Sequence, residues 1–215
     1  MDGLRNAEGK PVLLEMVKAI QDNKSYLSEV DGLIGDGDHG ANMNKGFTIF
    51  GERIADQDIS FTEGLDELGT ILMMEIGGSM GPIYGTLFME MAAAAEDVEV
   101  ITTQVLADML ATGLDELMDI VEARVGDKTL IDTLTPARDA LHQAAAGGMS
   151  LSDALVDMKS AAQTGRDSTK DMVAKFGRSS RLGERSRGVL DAGAVSCCII
   201  LSAMADGMLR VAGKL

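Results

Sequence analysis

The amino-acid sequence predicts an all-α protein, on three observations. Apolar residues recur every three or four positions along most of the 215 residues, which is the spacing of one helix face. Aromatic residues make up only 3% of the chain and methionine is frequent, at 15 residues, and this flexible side chain suits packing between helices. Only 98–101 resembles a strand, and one short strand cannot form a sheet. We expect residues 1–215 to form a single domain, as is usual for this length.

The predicted helices follow one another with short interruptions. Pro11 suits the first turn of a helix, and Ser60 with Glu63 has the spacing of a capping box. Pro82 is expected to begin a helix, and 151–176 alternates apolar or small residues in steps of four and three, as in a bundle seam. Further helices are expected at 42–55, 60–76, 103–122, 129–146 and 191–212, for about eight helices in all.

Composition excludes several classes of protein. With 19 Lys and Arg against 34 Asp and Glu, the net charge of −15 disfavours binding to nucleic acids or to anionic membranes. The longest apolar run, 192–205, is shorter than the roughly 20 residues that span a bilayer. Cys197 and Cys198 are adjacent and cannot form a loop-closing disulfide framework, so they are interpreted as core residues in a reducing compartment. We therefore expect a cytoplasmic protein without a membrane or nucleic-acid partner.

Three carboxylates lie within eight residues, at Asp31, Asp36 and Asp38. They repel one another, and the helix end near Asp31 is itself negative, so a bound cation is the simplest compensation. The stretch lacks the residues of an EF-hand, and oxygen ligands of this kind suit Mg²⁺ completed by water and substrate phosphates. The alternative is an acidic, solvated turn.

The same loop matches the dinucleotide-binding fingerprint at 35–40 letter for letter. We reject that interpretation, because the preceding residues have helical rather than strand periodicity. Two aspartates would also face a pyrophosphate without a metal.

A second glycine-rich stretch, 77–82, contains the G-x-S-x-G pattern of serine hydrolases around Ser79, with Asp132 and His142 following in the order of a catalytic triad. A nucleophile elbow needs a preceding strand, however, and 68–76 has helical periodicity. The glycines before a helix N-terminus favour a phosphate cradle instead.

A third stretch, 177–188, carries four arginines, and arginine binds phosphate oxygens in a bidentate fork. The alternative is a surface loop whose arginines pair with neighbouring acids. In the shorter turn 126–129, Thr129 and Asp132 have the spacing of a helix cap, a purely structural role. Acidic ligands, a glycine cradle and an arginine loop together describe a site for a metal and a nucleotide phosphate.

These stretches resemble the DhaL family, the nucleotide-binding subunits of bacterial dihydroxyacetone kinases. The resemblance covers the whole chain in the family's order. It implies a barrel of eight antiparallel helices with the nucleotide at one rim. The matching stretches are IGDGDHGANMNKGF (34–47), GGSMGPIYGT (77–86), GDKTLID (126–132) and GRSSRLGERSRGVLDAGA (177–194).

The resemblance also implies roles for individual residues. Metal ligands for two Mg²⁺ ions, and with Arg178 the catalytic set, would be Asp31, Asp36 and Asp38. Nucleotide-binding residues would be His39, Gly40, Ala41, Asn42, Ser79, Met80, Gly126, Thr129, Leu130, Arg178, Asp191, Ala192 and Gly193. Of these, Arg178 and 191–193 would close a lid. The family usually has proline at the Ala192 position and often an aromatic residue at the Arg181 position.

The implied activity is phosphoryl transfer from Mg–ADP/ATP, with no general base or sugar pocket in this chain. A separate dihydroxyacetone-binding subunit would hold the substrate on its own histidine, and a phosphohistidine-carrying phosphotransferase subunit would rephosphorylate ADP in place. Three alternatives stay open: an ATP-dependent triose or tetrose kinase such as an erythrulose kinase, a non-catalytic nucleotide-binding regulator, and a serine hydrolase. A homodimer is compatible with each.

Overall fold

The computed structural model describes residues 3–213, and this part of the chain is mostly helical. The α-helices are α1 (Lys10–Asp22), α2 (Lys24–Ile34), α3 (His39–Ile54), α4 (Phe61–Glu75), α5 (Met80–Ala93), α6 (Thr103–Ile120), α7 (Ile131–Ala146), α8 (Leu151–Ser168) and α9 (Ala192–Ala212). Two strands, β1 (Leu4–Arg5) and β2 (Val100–Ile101), and 3₁₀ helices at Asn6–Glu8, Thr169–Asp171 and Arg178–Ser186 complete the described residues. The all-α prediction is confirmed, with nine α-helices in the described residues against about eight expected.

The helices pack largely in chain order around one apolar core. From α3 to α9 each helix contacts the next, α9 returns to α1, and α1 contacts α3. Helix α2 packs mainly against α3 and α9. The largest fully buried side chains include Tyr84, Phe47, Phe50, Phe61, Phe88, Leu13, Met16 and Met43. Aliphatic, methionine and a few aromatic side chains thus form this core, and the predicted barrel shape stays a prediction.

Helix α9 is the most apolar element. By length and composition alone it could cross a membrane, but 72% of its most apolar window is buried inside the fold. It contacts α1, α7 and α8, and both Cys197 and Cys198 are buried and free along it. Burial by neighbouring helices explains the apolar run, since a core helix surrounded on most sides is apolar on most faces.

Two predicted helix starts are confirmed in detail. Pro11 lies in the first turn of α1, where its missing N–H costs nothing. At α4, Ser60 Oγ accepts from the Glu63 N–H at 3.3 Å and the Glu63 carboxylate accepts from the Ser60 N–H at 2.9 Å, a complete capping box. Helix α5 begins at Met80, so Pro82 lies in its first turn rather than at its start.

The predicted helix 151–176 is too long. Helix α8 ends at Ser168 and the chain turns into the 3₁₀ helix Thr169–Asp171. The Ser168 hydroxyl donates to Gly165 O at 2.6 Å and the Thr169 hydroxyl donates to Arg166 O at 2.6 Å. These hydroxyls occupy the last helical carbonyls, as such side chains do where a helix ends.

The strand-like stretch 98–101 has a partner that the sequence did not indicate. Leu4 and Arg5 pair antiparallel with Ile101 and Val100. The expectation of a lone strand was wrong because β1 is two residues long, too short to show alternation.

Candidate metal and nucleotide site

A cavity of about 860 Å³ lies where several helix ends meet. Its walls come from the α2–α3 loop, the loop before α5, the end of α6, the start of α7, residues 176–179 and the start of α9. The three glycine-rich stretches singled out in the sequence therefore converge on one cavity. The predicted site residues that line it are Asp31, Asp36, Asp38, His39, Asn42, Ser79, Met80, Thr129, Leu130, Arg178, Asp191, Ala192 and Gly193.

The acidic loop brings three carboxylates together on one wall. Asp31 lies in the last turn of α2, Asp38 precedes α3 as its N-cap, and Asp36 lies between them. One oxygen from each lies within 4.8 Å of the other two. Gly37, at φ 78°, makes the turn that allows this approach, because L side chains rarely adopt that conformation.

The clustering raises the cost of ionising the loop. Desolvation, then the nearby carboxylates of Asp36 and Asp31, raise the pKa of Asp38, while Arg178 opposes the shift. Arg178 also forms an ion pair with Asp36. A single guanidinium thus faces three carboxylates, which leaves net negative charge on this wall.

The donor set fits Mg²⁺. Oxygens on opposite sides of one Mg²⁺ ion lie about 4.2 Å apart, twice its usual bond length, so oxygens within 4.8 Å of one another need only small shifts to share one cation or bridge two. The three side chains contribute only oxygen donors, which favours Mg²⁺, Mn²⁺ or Ca²⁺ over Zn²⁺.

The loop before α5 forms a second wall. Gly77 and Gly78 have open space where a Cβ would be, and Gly78 has φ 73°. Ser79 is the N-cap of α5 but its hydroxyl makes no capping hydrogen bond. Exposed backbone at the start of a fourteen-residue helix suits an anion, as the phosphate-cradle prediction requires.

The serine-hydrolase alternative does not fit this geometry. The residues before Ser79 belong to helix α4 and its end, not to a strand. The two carboxylate oxygens of Asp132 accept from the Gly126 N–H at 2.5 Å and the Thr129 N–H at 2.8 Å. His142 is exposed on α7, and Asp132 is buried as a turn-forming residue. The structural role predicted for Thr129 and Asp132 is confirmed.

His39 belongs to a buried network behind the cavity wall. Its Nε2 lies 2.8 Å from Ser196 Oγ, and the Tyr84 hydroxyl lies 2.6 Å from the same oxygen. Tyr84 also donates to the Gly193 carbonyl at 3.2 Å. Burial lowers the pKa of His39 to about 4, against a smaller opposing effect of Asp31, so the imidazole is neutral at pH 7.

The start of α9 closes another side of the cavity. The Asp191 carboxylate caps α9 by accepting from the Ala194 N–H at 2.8 Å. Burial raises the pKa of Asp191 to about 6, opposed by this hydrogen bond and by Lys128. Ala192 and Gly193 follow as the first residues of α9.

Three predicted site residues lie outside the cavity lining. Gly40 lies against α2, where a Cβ would be 2.6 Å from Ser28 Oγ and would also overlap Lys24 O. Ala41 is exposed, and the Gly126 N–H supports the turn through Asp132. The structure therefore assigns Gly40 and Gly126 contacts within the fold rather than places on the cavity wall.

The sequence prediction missed Tyr84, Ser196 and Lys128. Tyr84 and Lys128 line the cavity, and Lys128 is only 1% exposed. Tyr84 and Lys128 lie inside the matched stretches at 77–86 and 126–132, so each was within reach of the sequence. Ser196 lies in an apolar helix, where a small hydroxyl gives no sequence signal.

Residues 33–206 match the model of the DAK2 domain. Over 183 residues the chain is 38% identical to the ADP-binding subunit DhaL of the PEP-dependent dihydroxyacetone kinase of Escherichia coli, covering 84% of this chain and 86% of that protein. The chain belongs to the DhaL family. Another relative, the ADP-binding subunit DhaL of PEP-dependent dihydroxyacetone kinase 1 of Listeria innocua, is 37% identical over 86% of this chain and 88% of its own.

The fold is shared with a larger DAK2-containing enzyme. The dihydroxyacetone kinase of C. freundii, solved in complex with AMP-PNP and Mg²⁺, superposes with a TM-score of 0.70 at 21% identity. The superposition covers 96% of this chain and 35% of that one, so the present DhaL-family chain spans about a third of that enzyme's length.

Proposed function

We propose that this chain is the nucleotide-binding subunit of a dihydroxyacetone kinase. It holds Mg–ADP/ATP and transfers the terminal phosphoryl group to dihydroxyacetone on a partner subunit, with residues 1–215 acting as a single domain. The observation that carries the proposal is the convergence of Asp31, Asp36 and Asp38, with oxygens within 4.8 Å, on the wall of a cavity that Arg178 and the 77–80 loop also line. The DhaL relatives support the same activity.

The proposed division of labour follows from the charges. Asp31, Asp36 and Asp38 would hold two Mg²⁺ ions, which when bound neutralise phosphate charge. The Gly78–Met80 backbone would donate to phosphate oxygens, and Arg178 would turn from Asp36 towards the transferring group. Positioning and charge stabilisation of this kind are the main needs of phosphoryl transfer.

The remaining predicted nucleotide contacts keep a proposed role at the cavity wall. His39, Asn42, Thr129, Leu130 and the start of α9 would line the nucleotide pocket. Because His39 is neutral and bonded to Ser196, we propose that acid–base residues come from the partner subunit.

We further propose a cytoplasmic complex in which a phosphohistidine-carrying phosphotransferase subunit rephosphorylates ADP without its release. The names of the relatives, which describe PEP-dependent kinases, support this phosphoryl source. Two chains of this protein forming a homodimer would be compatible with that arrangement.

The test begins with the purified protein as isolated. We expect roughly equimolar ADP in the supernatant after denaturation, measured by anion-exchange chromatography, and none after prior dialysis against EDTA. Stripped protein should rebind ADP in calorimetry with Mg²⁺ but not without it. Absence of binding of either ADP or ATP with Mg²⁺ would contradict the proposal.

Turnover with a dihydroxyacetone-binding subunit separates the variants of this function. If ATP alone sustains turnover, an ATP-exchanging triose or erythrulose kinase is the better description. If ADP binds but no substrate subunit yields product, the chain is a non-catalytic regulator.

A further inference from the structure

The segment 169–191, which we call the flap, leaves the fold after α8 and returns at the start of α9. Of its residues only Thr169, Ala174 and Ser186 are buried, and its arginines are exposed. Such a segment has little apolar burial to fix it, so its position depends on polar contacts. Arg178 lies on this flap and pairs with Asp36 across the cavity wall.

The two ends of the flap meet in a hydrogen-bonded neck. The Gly188 N–H donates to Lys170 O at 2.7 Å, and the Asp191 N–H donates to the Thr169 hydroxyl at 3.1 Å. Within the flap, the Ser186 hydroxyl accepts from the Ala174 N–H at 2.9 Å. The flap is thus a closed loop that can move about its neck as a unit.

Lys128 joins both sides of this neck from outside the flap. Its ammonium donates to Thr169 O at 2.6 Å on the outgoing side and also to Val189 O on the returning side. The side chain is only 1% exposed, and long charged side chains are seldom buried without partners. Because both acceptors are backbone carbonyls, no side-chain substitution in the flap itself would remove this connection.

The backbone of Lys128 is held in an unusual conformation. It has φ 63°, and it is the one non-glycine residue with positive φ in the described part of the chain. A non-glycine residue persists in this region where its surroundings require it. The adjacent Asp127 is also tied to the flap, because its carbonyl accepts from the Lys175 N–H at 3.2 Å and its carboxylate pairs with the Lys175 ammonium at 2.6 Å.

We infer that Lys128 is a positioning residue that closes the neck of the flap and thereby sets where Arg178 stands over the cavity. Removing the ammonium leaves two buried carbonyls without their donor and frees the two ends of the flap to separate. The closed-neck part of this inference stands on the contacts alone, and its consequence for nucleotide retention rests on the proposed function.

The test compares Lys128→Met, which removes the charge, with Lys128→Arg, which keeps a donor. In the nucleotide-free protein, an arginine-specific protease should cut at the flap arginines about tenfold faster in K128M than in the wild type, with cleavage at Arg53 unchanged. K128R should stay close to the wild type. The matched control is Lys170→Met, an exposed lysine on the flap, which should leave the rate unchanged.

A second readout is the dissociation rate of fluorescent ADP in the presence of Mg²⁺. We expect K128M to release it about tenfold faster, with K128R restoring slow release. Faster release without faster flap cleavage would overturn the inference, since Lys128 would then act on the nucleotide directly. Unchanged flap cleavage in K128M would overturn it in any case.

Two designs keep these outcomes clear. If K128M does not fold, Lys128→Gly removes the same ammonium while suiting the positive φ, and the same cleavage result is expected. If the wild type binds no ADP, the proposed function fails, but flap cleavage still reports on the neck.

Discussion

Two walls of the cavity are built in opposite ways. On the acidic wall, Asp31, Asp36 and Asp38 face one another within 4.8 Å and a single guanidinium, that of Arg178, pairs with them. On the opposite side, the Lys128 ammonium and the Asp132 carboxylate each have two backbone partners within the protein.

The behaviour of buried polar groups explains the difference. A buried polar group is costly unless it is paired, so the groups of the second wall are structural and stay paired. Like charges held together without compensation cost stability in the free protein, and such sites gain when a cation binds. The comparison teaches that unpaired charge marks the ligand and paired charge marks the scaffold.

The acidic wall should give the largest effect. Asp36→Asn replaces a charged ligand by a neutral one, and we expect Mg²⁺-dependent ADP affinity to fall by about a hundredfold, measured by calorimetry. Helix content by circular dichroism should not change. Asp56→Asn, an exposed acid after α3, is the matched control, and equal ADP affinity in D36N and wild type would remove Asp36 from the metal site.

Gly40 tests where the acidic wall ends and the scaffold begins. A Cβ there would overlap Lys24 O and Ser28, so Gly40→Ala should lower the free energy of unfolding by about 2–3 kcal/mol in a denaturant titration. Gly77→Ala, where the space is open, should change it by less than about 0.5 kcal/mol. A stable G40A protein that has lost ADP affinity would instead make Gly40 a ligand contact.

The buried network behind His39 should respond to one hydroxyl. Tyr84→Phe removes the partner of Ser196 and of the Gly193 carbonyl, and we expect a loss of about 1 kcal/mol in unfolding free energy. The exposed Tyr26→Phe should be neutral. If Y84F is neutral too, the paired wall contributes less than the geometry indicates.

Asp191 gives the smallest effect and reports on pH. Its folded pKa of about 6 lies above the ordinary 3.8, so protonation favours the folded state and the stability contributed is lost as pH rises from about 4 to 6. Asp191→Asn keeps a capping oxygen but does not titrate. The difference in unfolding free energy between variant and wild type should therefore shift in favour of D191N by the order of 1 kcal/mol across that range.

Urea titrations at pH 4, 5, 6 and 7 would measure that shift. A difference that stays constant over this range would show that Asp191 titrates normally in the folded protein.

Local signals in the sequence were sufficient for much of the fold. The capping box at Ser60 and the first-turn proline at Pro11 depend on residues within a few positions, and the structure confirms both. The end of α8 was misplaced because the steps of four and three continue past Ser168, while hydroxyl groups end the helix there. Periodicity reports which residues are apolar, and it is blind to a hydroxyl that takes a backbone carbonyl.

The site was predicted in the same uneven way. Asp31, Asp36 and Asp38 cluster because a short glycine turn brings them together, which spacing alone indicates. Gly40 and Gly126 were assigned to the nucleotide, although their close neighbours are Ser28 of α2 and Asp132 of α7. Those contacts depend on how distant segments pack.

The sequence by itself determined the helical class, the acidic loop and the family, since these follow from periodicity and from short runs of residues. Only the tertiary structure decided that Ser196 bonds His39, 157 positions away, and that Lys128 bonds both ends of the flap. The physical reason is that a buried polar side chain takes whichever partner the packing brings within about 3 Å, and that partner leaves no mark on the neighbouring sequence.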